Sequence, residues 1–460
     1  MAAPGISLSK TNQSLREEPS NLLPRRRPKI PNQQMVSIVS FQLCLLQTTL
    51  KPLKPQKDSK FPKPICRLCP TKALAAETPS KGKKLGFNDL LETLTVNVQR
   101  AESRPMNVPL IAPFTIASSR LDNVENVAIR IELANGCVGW GETPILPSVT
   151  AEDQPTALMK AREACEFLKS VQPMTLGLIL EKICGVLPGH ELASVRAGVE
   201  MALIDAVANS IGVPLWKLFG GVSDTVTTDI TIPIVPPVEA AELAANYRKR
   251  GFKTLKLKVG KNLRADIEVL QAIRAAHPDC LFILDANEGY KAKEAIEVLE
   301  KLDEMGVIPI LFEQPVHRDD WEGLGHVSHI VKHKYGISVA ADESCRSLFD
   351  VKKIVEGKLA DVINVKLAKV GVIGALKIIE EARASGLDLM IGGMVETKLA
   401  MGFAGHLAAG LGCFRFVDLD TPLLLSEDPV LGGYDVSGAV YKFTNARGHG
   451  GFLQWDNIVW

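Results

Sequence analysis

Residues 254–287, TLKLKVGKNLRADIEVLQAIRAAHPDCLFILDAN, decide the fold because they contain a complete strand, helix and strand unit. Residues 254–259 alternate lysines with apolar residues, and the apolar positions indicate a strand in the middle of a sheet. Asn262 is a favourable cap for the helix that follows, and Pro278 ends that helix. Because parallel strands need a long crossover, usually a helix, this unit predicts parallel pairing.

The same pattern of strand, turn and helix repeats along the chain after Gly220 and Gly221. Strands are predicted at about 226–233, 254–259, 281–285, 308–313, 337–341, 361–367, 387–392 and 415–418. Seven crossovers between eight strands allow a doubly wound sheet or a closed barrel. Eight strands within about 190 residues favour the barrel. The sequence therefore predicts an α/β fold, a (β/α)7β modified TIM barrel, over residues 221–424.

An N-terminal α+β capping domain is predicted over residues 92–220. Residues 126–133 largely alternate apolar and polar side chains, and the Asn-Gly pair that follows favours a tight hairpin. Helical spacing is found at about 156–170 and 194–210. We expect the C-terminal tail, residues 425–460, to pack on this cap.

Residues 1–85 differ from the rest of the chain in charge. They contain 16 Lys and Arg against 4 Asp and Glu, which leaves 37 against 48 for residues 86–460. A basic, acid-poor leader is typical of an organelle transit peptide, so we expect a plastid protein, or otherwise a cytoplasmic one. The apolar run that begins at Met35, itself an alternative start, is shorter than a membrane span.

The acidic body of the chain excludes one class of partner. A nucleic-acid-binding surface would show clustered positive charge on the folded part, and residues 86–460 carry an excess of acids. We therefore expect no nucleic-acid partner. We also expect a small-molecule substrate, no membrane and a homo-oligomer.

Carboxylates end three successive strands of the predicted barrel, where the working groups of such barrels lie. They are Asp285, Glu313 and Asp342. Converging carboxylates repel each other unless a cation lies between them, and oxygen ligands favour Mg²⁺ or Mn²⁺ over Zn²⁺. A single acid at a strand end is explained equally well as a helix cap. Three such acids at the ends of three neighbouring strands instead favour one metal ion per subunit.

Lysines occupy two other strands. Lys256 and Lys258 point to the same face because strand side chains alternate, and Lys366 comes from the strand across the barrel. The ammonium groups of Lys256 and Lys258 would each lie near the other and near the metal ion, and both effects lower a lysine pKa towards neutrality. Lysines on both sides of a metal-held carboxylate predict proton removal and return at the α-carbon of that substrate.

Asp418 and Asp420 share one face of the last strand. Two carboxylates near the barrel mouth suit a substrate ammonium group. A salt bridge to Arg415 or to a neighbouring lysine would instead give them a structural role, and spacing alone leaves both alternatives open.

These residues resemble the enolase superfamily, in its muconate-lactonizing-enzyme subgroup, over roughly residues 92–455. The matching motifs are Lys256-x-Lys258, Asp285-x-Asn287, Glu313-Gln-Pro, Asp342-Glu343 and Lys366 in Asn364-Val-Lys-Leu. Superfamily members use a Lys or His base with Mg²⁺ to stabilise an enediolate. Within the subgroup, Asp418-Leu-Asp420 is similar to the motif of the dipeptide epimerases.

The resemblance implies a role for each matching residue. Lys258 and Lys366 would be the acid/base catalysts, and Asp285, Glu313 and Asp342 would bind Mg²⁺, which Mn²⁺ could replace. The implied substrate-binding residues are Thr231, Lys256, Met394, Asp418 and Asp420, with Lys256 on the carboxylate and the two aspartates on the α-ammonium group. The implied activity is that of an isomerase that inverts the α-carbon of the C-terminal residue of an L,L- or L,D-dipeptide, by two-lysine 1,1-proton transfer through an enediolate.

Alternative functions share the same scaffold. An N-acylamino acid racemase or an o-succinylbenzoate synthase would use the same metal and lysines, but its substrate has no ammonium group to meet Asp418 and Asp420. A non-catalytic scaffold is disfavoured because every catalytic position holds a competent residue, although fold alone never establishes function.

The loop Pro113–Arg120 departs from the pattern of the Glu-selective epimerases. An arginine in this loop of those enzymes would pair with a Glu substrate. Here Arg120 is displaced by one residue, and Ser119 stands in the arginine position. The resemblance therefore implies epimerisation of Ala-Glu or a related dipeptide, without fixing the second residue.

Overall fold

Eight parallel strands form the central sheet in the computed structural model, which describes residues 86–115, 120–150 and 152–456. The barrel strands, numbered 1 to 8 here, are Ile230–Ile232, Thr254–Lys258, Leu281–Asp285, Leu311–Glu313, Ser338–Ala341, Val362–Lys366, Asp388–Gly392 and Phe416–Asp418. Each pairs with its neighbours in chain order. The backbone N–H of Asp229 donates to the carbonyl oxygen of Val417 at 3.0 Å, which joins the first edge to the last. The predicted (β/α)7β barrel is confirmed.

Seven helices connect the strands on the outside of the barrel. They are Pro237–Lys249, Leu263–Ala276, Ala292–Glu304, Trp321–Tyr335, Leu348–Gly357, Leu367–Ala384 and Lys398–Leu411. The Asn262 side chain accepts hydrogen bonds from the backbone N–H groups of Arg264 and Ala265, so the predicted cap is present. The helix Leu367–Ala384 is kinked at Gly371, where φ is 75°.

Side-chain alternation divides the strands between two environments. In strand 2, Leu255 and Leu257 pack outwards into the large core shared with the helices. The inward side chains of six strands form a separate apolar layer, made of Ile283, Leu311, Ala340, Val362, Met390 and Phe416. Asp285 and Glu313 follow Ile283 and Leu311 by two residues, so a charged layer lies directly above the apolar one.

The cap contains a three-stranded antiparallel sheet and a set of helices. The strands are Val98–Thr115, Arg120–Leu133 and Val138–Thr143, and the main helices are Gln154–Ser170, Leu176–Val186 and Ala193–Ile211. The predicted hairpin is present, with Gly136 at φ 80°. Shorter elements are Phe87–Thr93, Thr95–Val96, Pro147–Thr150, Met174–Thr175 and Leu215–Leu218.

The first barrel strand is shorter than the predicted strand 226–233. Thr225–Thr227 instead pairs with Val440–Phe443 in a C-terminal sheet, and only Ile230–Ile232 belongs to the barrel. The chain changes partners between these strands, because Thr228 N–H donates to the carbonyl oxygen of Ala439. An apolar pattern does not show which strand its backbone will pair with, so the prediction merged two strands.

The C-terminal tail contacts both the cap and the barrel. Its strands are Val430–Gly432, Tyr434–Ser437, Val440–Phe443 and Gly451–Leu453. The Trp455 ring packs 5.7 Å from that of Trp140 in the cap, and Tyr441 Oη donates to the carbonyl oxygen of Leu419 at 2.8 Å. The predicted domain limits remain a prediction, since all described residues belong to one compact unit, Ser80–Trp460.

Two further predictions concern the targeting segment and membrane association. The targeting segment 1–85 lies outside the described residues. Within the described ranges, no helix combines the length and the apolar character that crossing a membrane requires.

Candidate active site

A cavity opens at the C-terminal ends of the barrel strands, where the cap covers the barrel. The sequence-predicted residues that line it are Thr231, Lys256, Lys258, Lys366, Met394, Asp418 and Asp420. Asp285, Glu313 and Asp342 lie directly behind this wall, with no exposed surface. The fold therefore brings all ten predicted side chains to one end of the barrel, because parallel strands carry their C-terminal ends to the same rim.

Lys256 lies at the centre of this group. Its ammonium nitrogen is 3.0 Å from Oδ2 of Asp285, 2.8 Å from Oε2 of Glu313 and 2.7 Å from Oδ2 of Asp418, and its side chain is 1% exposed. One ammonium thus contacts carboxylates from strands 3, 4 and 8. It connects the predicted metal ligands to the predicted ammonium-binding pair.

Lys258 and Lys366 face the cavity from opposite sides. They end strands 2 and 6, which are four strands apart in an eight-stranded barrel. Lys258 Nζ is 2.6 Å from Oδ2 of Asp285, and Lys366 Nζ is 2.6 Å from Oδ2 of Asp342. Each lysine is therefore oriented by one buried carboxylate while it lines the cavity.

The electrostatics of the lysines differ from the sequence prediction. Burial disfavours the charged form of Lys256, but Asp285, Asp418 and Glu313 outweigh it and raise the pKa of Lys256 well above its usual range. Burial likewise opposes the charge on Lys366, and Asp342 raises the pKa of Lys366. The predicted lowering of the Lys256 pKa is wrong for the protein's own charges, because the buried carboxylates act more strongly than the neighbouring ammonium groups.

The pKa values of the carboxylates shift in both directions. Burial alone would raise the pKa of Asp285, but Lys256, Lys258 and Lys366 lower it below its usual range. Burial and the nearby Asp285 raise the pKa of Glu313 to about 8. The lysines of the protein therefore neutralise Asp285 more fully than Glu313. Such incomplete neutralisation is expected of a site that receives a cation.

Supporting side chains fix the orientation of these carboxylates. Lys369 Nζ donates to Oδ1 of Asp342 at 2.5 Å, and Asn364 Nδ2 donates to Oε1 of Glu313 at 2.8 Å. Gln314 Oε1 accepts a hydrogen bond from the backbone N–H of Asp342 at 2.9 Å. Sequence reasoning missed Lys369, which is 1% exposed, because a single lysine among apolar residues looks the same as a surface lysine.

Asp229 is a second residue that sequence reasoning missed. Asp229, Asp418 and Asp420 each have a carboxylate oxygen within 4.8 Å of the others. Both oxygens of Asp229 are buried without a hydrogen-bond partner, and burial together with Asp418 and Asp420 raises its pKa well above the usual value. Asp229 precedes Thr231 by two residues, and this spacing was the available signal, but the predicted strand 226–233 merged two strands that pair with different partners.

The two acidic groups suit different cations. Asp285, Glu313 and Asp342 offer only oxygen donors, and Oε2 of Glu313 and Oδ2 of Asp342 accept no hydrogen bond although each meets a lysine ammonium. This donor set fits Mg²⁺ or Mn²⁺. Among the described residues the three do not form a group as tight as that around Asp229, and we attribute this to the Lys256 ammonium between Asp285 and Glu313.

The group around Asp229 suits an ammonium ion better than a metal. Only Asp418 and Asp420 of this group line the cavity, and one of them already contacts Lys256. Asp420 Oδ2 accepts a hydrogen bond from the backbone N–H of Thr231 at 2.6 Å, while Oδ1 has no hydrogen-bond partner. Arg415 pairs with Asp388, so the alternative of a salt bridge to Arg415 is wrong, but the alternative of a salt bridge to a lysine is present between Lys256 and Asp418.

The cap contributes an apolar wall to the cavity. It consists of Phe114, Leu121, Leu146 and Val149. Arg120 is not among the lining residues, and its side chain is 63% exposed beside Asp122 at 3.3 Å. Ser119 lies outside the described residues. In the described part of the chain, the cap therefore offers this cavity no cationic group for an acidic substrate side chain.

Comparisons with known families match both parts of the chain. Residues 99–220 match the N-terminal domain of mandelate racemase / muconate lactonizing enzyme. Residues 239–457 match the enolase C-terminal domain-like family. The two matches cover the cap and nearly the whole barrel.

Individual relatives of this chain are epimerases. The chain is 76% identical over 426 residues to the L-Ala-D/L-amino acid epimerase of Populus trichocarpa. The matched region covers 92% of this chain and 100% of that protein. The substrate-liganded L-Ala-D/L-Glu epimerase of Bacillus subtilis is 36% identical, with a TM-score of 0.74 over 78% of this chain and 99% of that one. The dipeptide epimerase of Enterococcus faecalis, complexed with Mg and L-Leu-L-Tyr, is 32% identical, with a TM-score of 0.71 over 77% and 99%.

Proposed function

This chain belongs to the mandelate racemase / muconate lactonizing enzyme family of the enolase superfamily, and we propose that it is a dipeptide epimerase. The reaction is inversion of the α-carbon of the C-terminal residue. The observation that carries the proposal is the pair Lys258 and Lys366, which face one cavity from opposite sides. An inversion needs one group to take a proton from one face of the carbon and another to deliver a proton to the other face.

Binding places the dipeptide by its two charged ends. Asp418 and Asp420 receive the α-ammonium group, because they are carboxylates that line the cavity and Asp420 keeps one oxygen without a hydrogen bond. Lys256, whose ammonium contacts Asp418 at 2.7 Å, exchanges that contact for the terminal carboxylate when the dipeptide binds. The reacting carbon adjoins that carboxylate, so it lies between the two lysines.

Proton transfer is the work of Lys258 and Lys366. The neutral one of the two removes the α-proton, and the protonated one returns a proton on the other side, which inverts the centre. The negative charge that develops on the substrate carboxylate, as an enediolate forms, is stabilised by the ammonium group of Lys256. Asp285, Glu313 and Asp342 would hold one Mg²⁺, which supplies further positive charge at that carboxylate.

The second residue of the dipeptide is apolar under this proposal. The cap wall consists of Phe114, Leu121, Leu146 and Val149, and Arg120 is exposed rather than directed into the cavity. A glutamate side chain would lose its hydration against such a wall without a partner. Among Ala-Glu and the related dipeptides that the resemblance implies, we therefore favour L-Ala followed by an apolar residue.

The sibling activities are less well supported. An N-acylamino acid racemase or an o-succinylbenzoate synthase binds no ammonium group, so the buried Asp420, whose Oδ1 has no hydrogen-bond partner, would meet no substrate cation. A buried carboxylate without one is destabilising. This observation favours a free N-terminus over an acylated one.

Deuterium exchange tests the proposal. Wild-type protein incubated with Mg²⁺ and L-Ala-L-Phe in D₂O should form L-Ala-D-Phe that carries deuterium at the α-carbon. Lys258→Ala and Lys366→Ala should each lose inversion by at least about 100-fold, and each should retain exchange with only one epimer. Lys332→Ala, at an exposed position, is the control. Full epimerisation by both active-site variants would end the two-lysine proposal.

A further inference from the structure

A buried polar cluster joins the cap to the barrel beside the substrate cavity. Asn126 and Glu142 come from two cap strands, and Thr397 stands at the start of the last barrel helix, Lys398–Leu411. The three side chains have no exposed surface. A fully buried charged group needs several hydrogen bonds, so the partners of Glu142 define what the cluster holds.

Glu142 binds the beginning of that barrel helix. Its carboxylate accepts hydrogen bonds from the backbone N–H of Thr397 at 3.0 Å, from Oγ1 of Thr397 at 2.7 Å and from the backbone N–H of Ala400 at 3.0 Å. The first N–H groups of a helix lack partners within the helix, and negative charge is favourable there. A cap residue thus completes the N-terminus of a barrel helix.

Asn126 connects two backbone segments with one amide. Its Nδ2 donates to Oε1 of Glu142 at 2.7 Å and to the carbonyl oxygen of Val395 at 3.1 Å. Its Oδ1 accepts from the backbone N–H of Ile145 at 2.8 Å. The two backbone groups therefore have a common partner, although one belongs to the cap and the other to the barrel.

Both of these segments lead directly into the cavity wall. Leu146, which follows Ile145, lines the cavity from the cap, and Met394 and Val395 line it from the barrel. Leu146, Val149 and Met394 belong to one apolar cluster. The separation between the two walls therefore depends on the bonds that Asn126 and Glu142 make.

We propose that Asn126 and Glu142 are positioning residues that set which side chain the cavity accepts at the epimerised carbon. The inference rests on the proposed dipeptide epimerase function. Loss of the Asn126 amide leaves the Ile145 N–H and the Val395 carbonyl buried without this partner, and such groups shift until they find another. The apolar walls move with them, so discrimination between dipeptides changes.

The ratio of kcat/KM for L-Ala-L-Phe to that for L-Ala-L-Ala tests the inference. In Asn126→Ala and in Glu142→Gln we expect this ratio to change by about tenfold or more, the effect of a methylene-sized change in a pocket. Asn123→Ala, on an exposed position of the same cap strand, should keep the wild-type ratio. A purely structural role would lower both kcat/KM values together and leave the ratio unchanged.

The outcomes separate this inference from the function on which it rests. If wild-type protein epimerised no dipeptide, the proposed function would fail and the inference with it. If wild-type protein were active and both variants kept its ratio, only the inference would be overturned. Should Asn126→Ala fail to fold, Glu142→Gln, which preserves the shape of the side chain, decides the matter alone.

Discussion

The ammonium nitrogen of Lys256 lies 2.8 Å from Oε2 of Glu313, inside the group of carboxylates proposed to bind the metal. A second contact, 3.0 Å to Oδ2 of Asp285, places the same ammonium against another proposed ligand. The protein thus keeps a positive charge of its own where a divalent ion would be attracted. Lysine and cation therefore share the same negative charges, and each weakens the interaction of the other.

Lys256→Met should bind Mg²⁺ more tightly than wild-type protein. Removal of a like charge at a distance of about 4 Å is worth about 1 to 4 kcal/mol, so the dissociation constant should fall about fivefold or more. Epimerisation should nevertheless be lost, because the substrate carboxylate loses its ammonium partner. Isothermal titration with Mg²⁺ measures the first effect. Lys334→Met, at an exposed site, is the control, and weaker Mg²⁺ binding by Lys256→Met would contradict the shared-charge explanation.

Asp420→Asn should lower kcat/KM for dipeptides that have a free N-terminal ammonium group. The substitution keeps an oxygen that can accept the Thr231 N–H but removes the charge that would meet the substrate ammonium. Loss of one partner from a buried charge pair is worth about 2 to 5 kcal/mol, so kcat/KM for L-Ala-L-Phe should fall at least about 30-fold. N-acetyl-L-Ala-L-Phe, which lacks the ammonium group, should be a poor substrate for wild-type protein. Equal rates of epimerisation of the free and the acetylated dipeptide would contradict an ammonium-binding site.

Asp229→Asn should stabilise the protein, and increasingly so as the pH rises. Burial and the nearby Asp418 and Asp420 raise the pKa of Asp229 in the folded state, whereas in the unfolded chain it is about 3.9. The folded state therefore binds the proton more tightly, and wild-type stability falls as pH increases above about 4. Asparagine does not titrate, so the variant escapes this loss.

Urea unfolding at pH 5 and pH 8 measures the effect. The gain in unfolding free energy of Asp229→Asn over wild-type protein should be larger at pH 8, by about 1 kcal/mol or more. Asp122→Asn, an exposed carboxylate in the cap, should show no such trend. A gain that was the same at both pH values would mean that Asp229 is ionised in the folded protein throughout this range.

Strand ends were readable from the sequence because they depend on local rules. Alternation placed Lys256 and Lys258 on the inner face, and parallel connections brought Asp285 and Glu313 to the same rim. These features follow from the period of a strand and from the handed crossovers between strands. The same rules failed where the chain changed partners before Ile230, because pairing is decided by residues far away in sequence.

The sequence by itself determined the barrel and the residues that face its mouth, since side-chain period and strand order are properties of short segments. Only the tertiary structure decided that Lys256 contacts carboxylates from three strands, that Asp229 adjoins Asp418, and that Asn126 joins Ile145 to Val395. Each of these is a contact between segments remote in the chain. The distances between these residues depend on how the sheet, the helices and the cap pack together. A local sequence pattern holds no information on that packing.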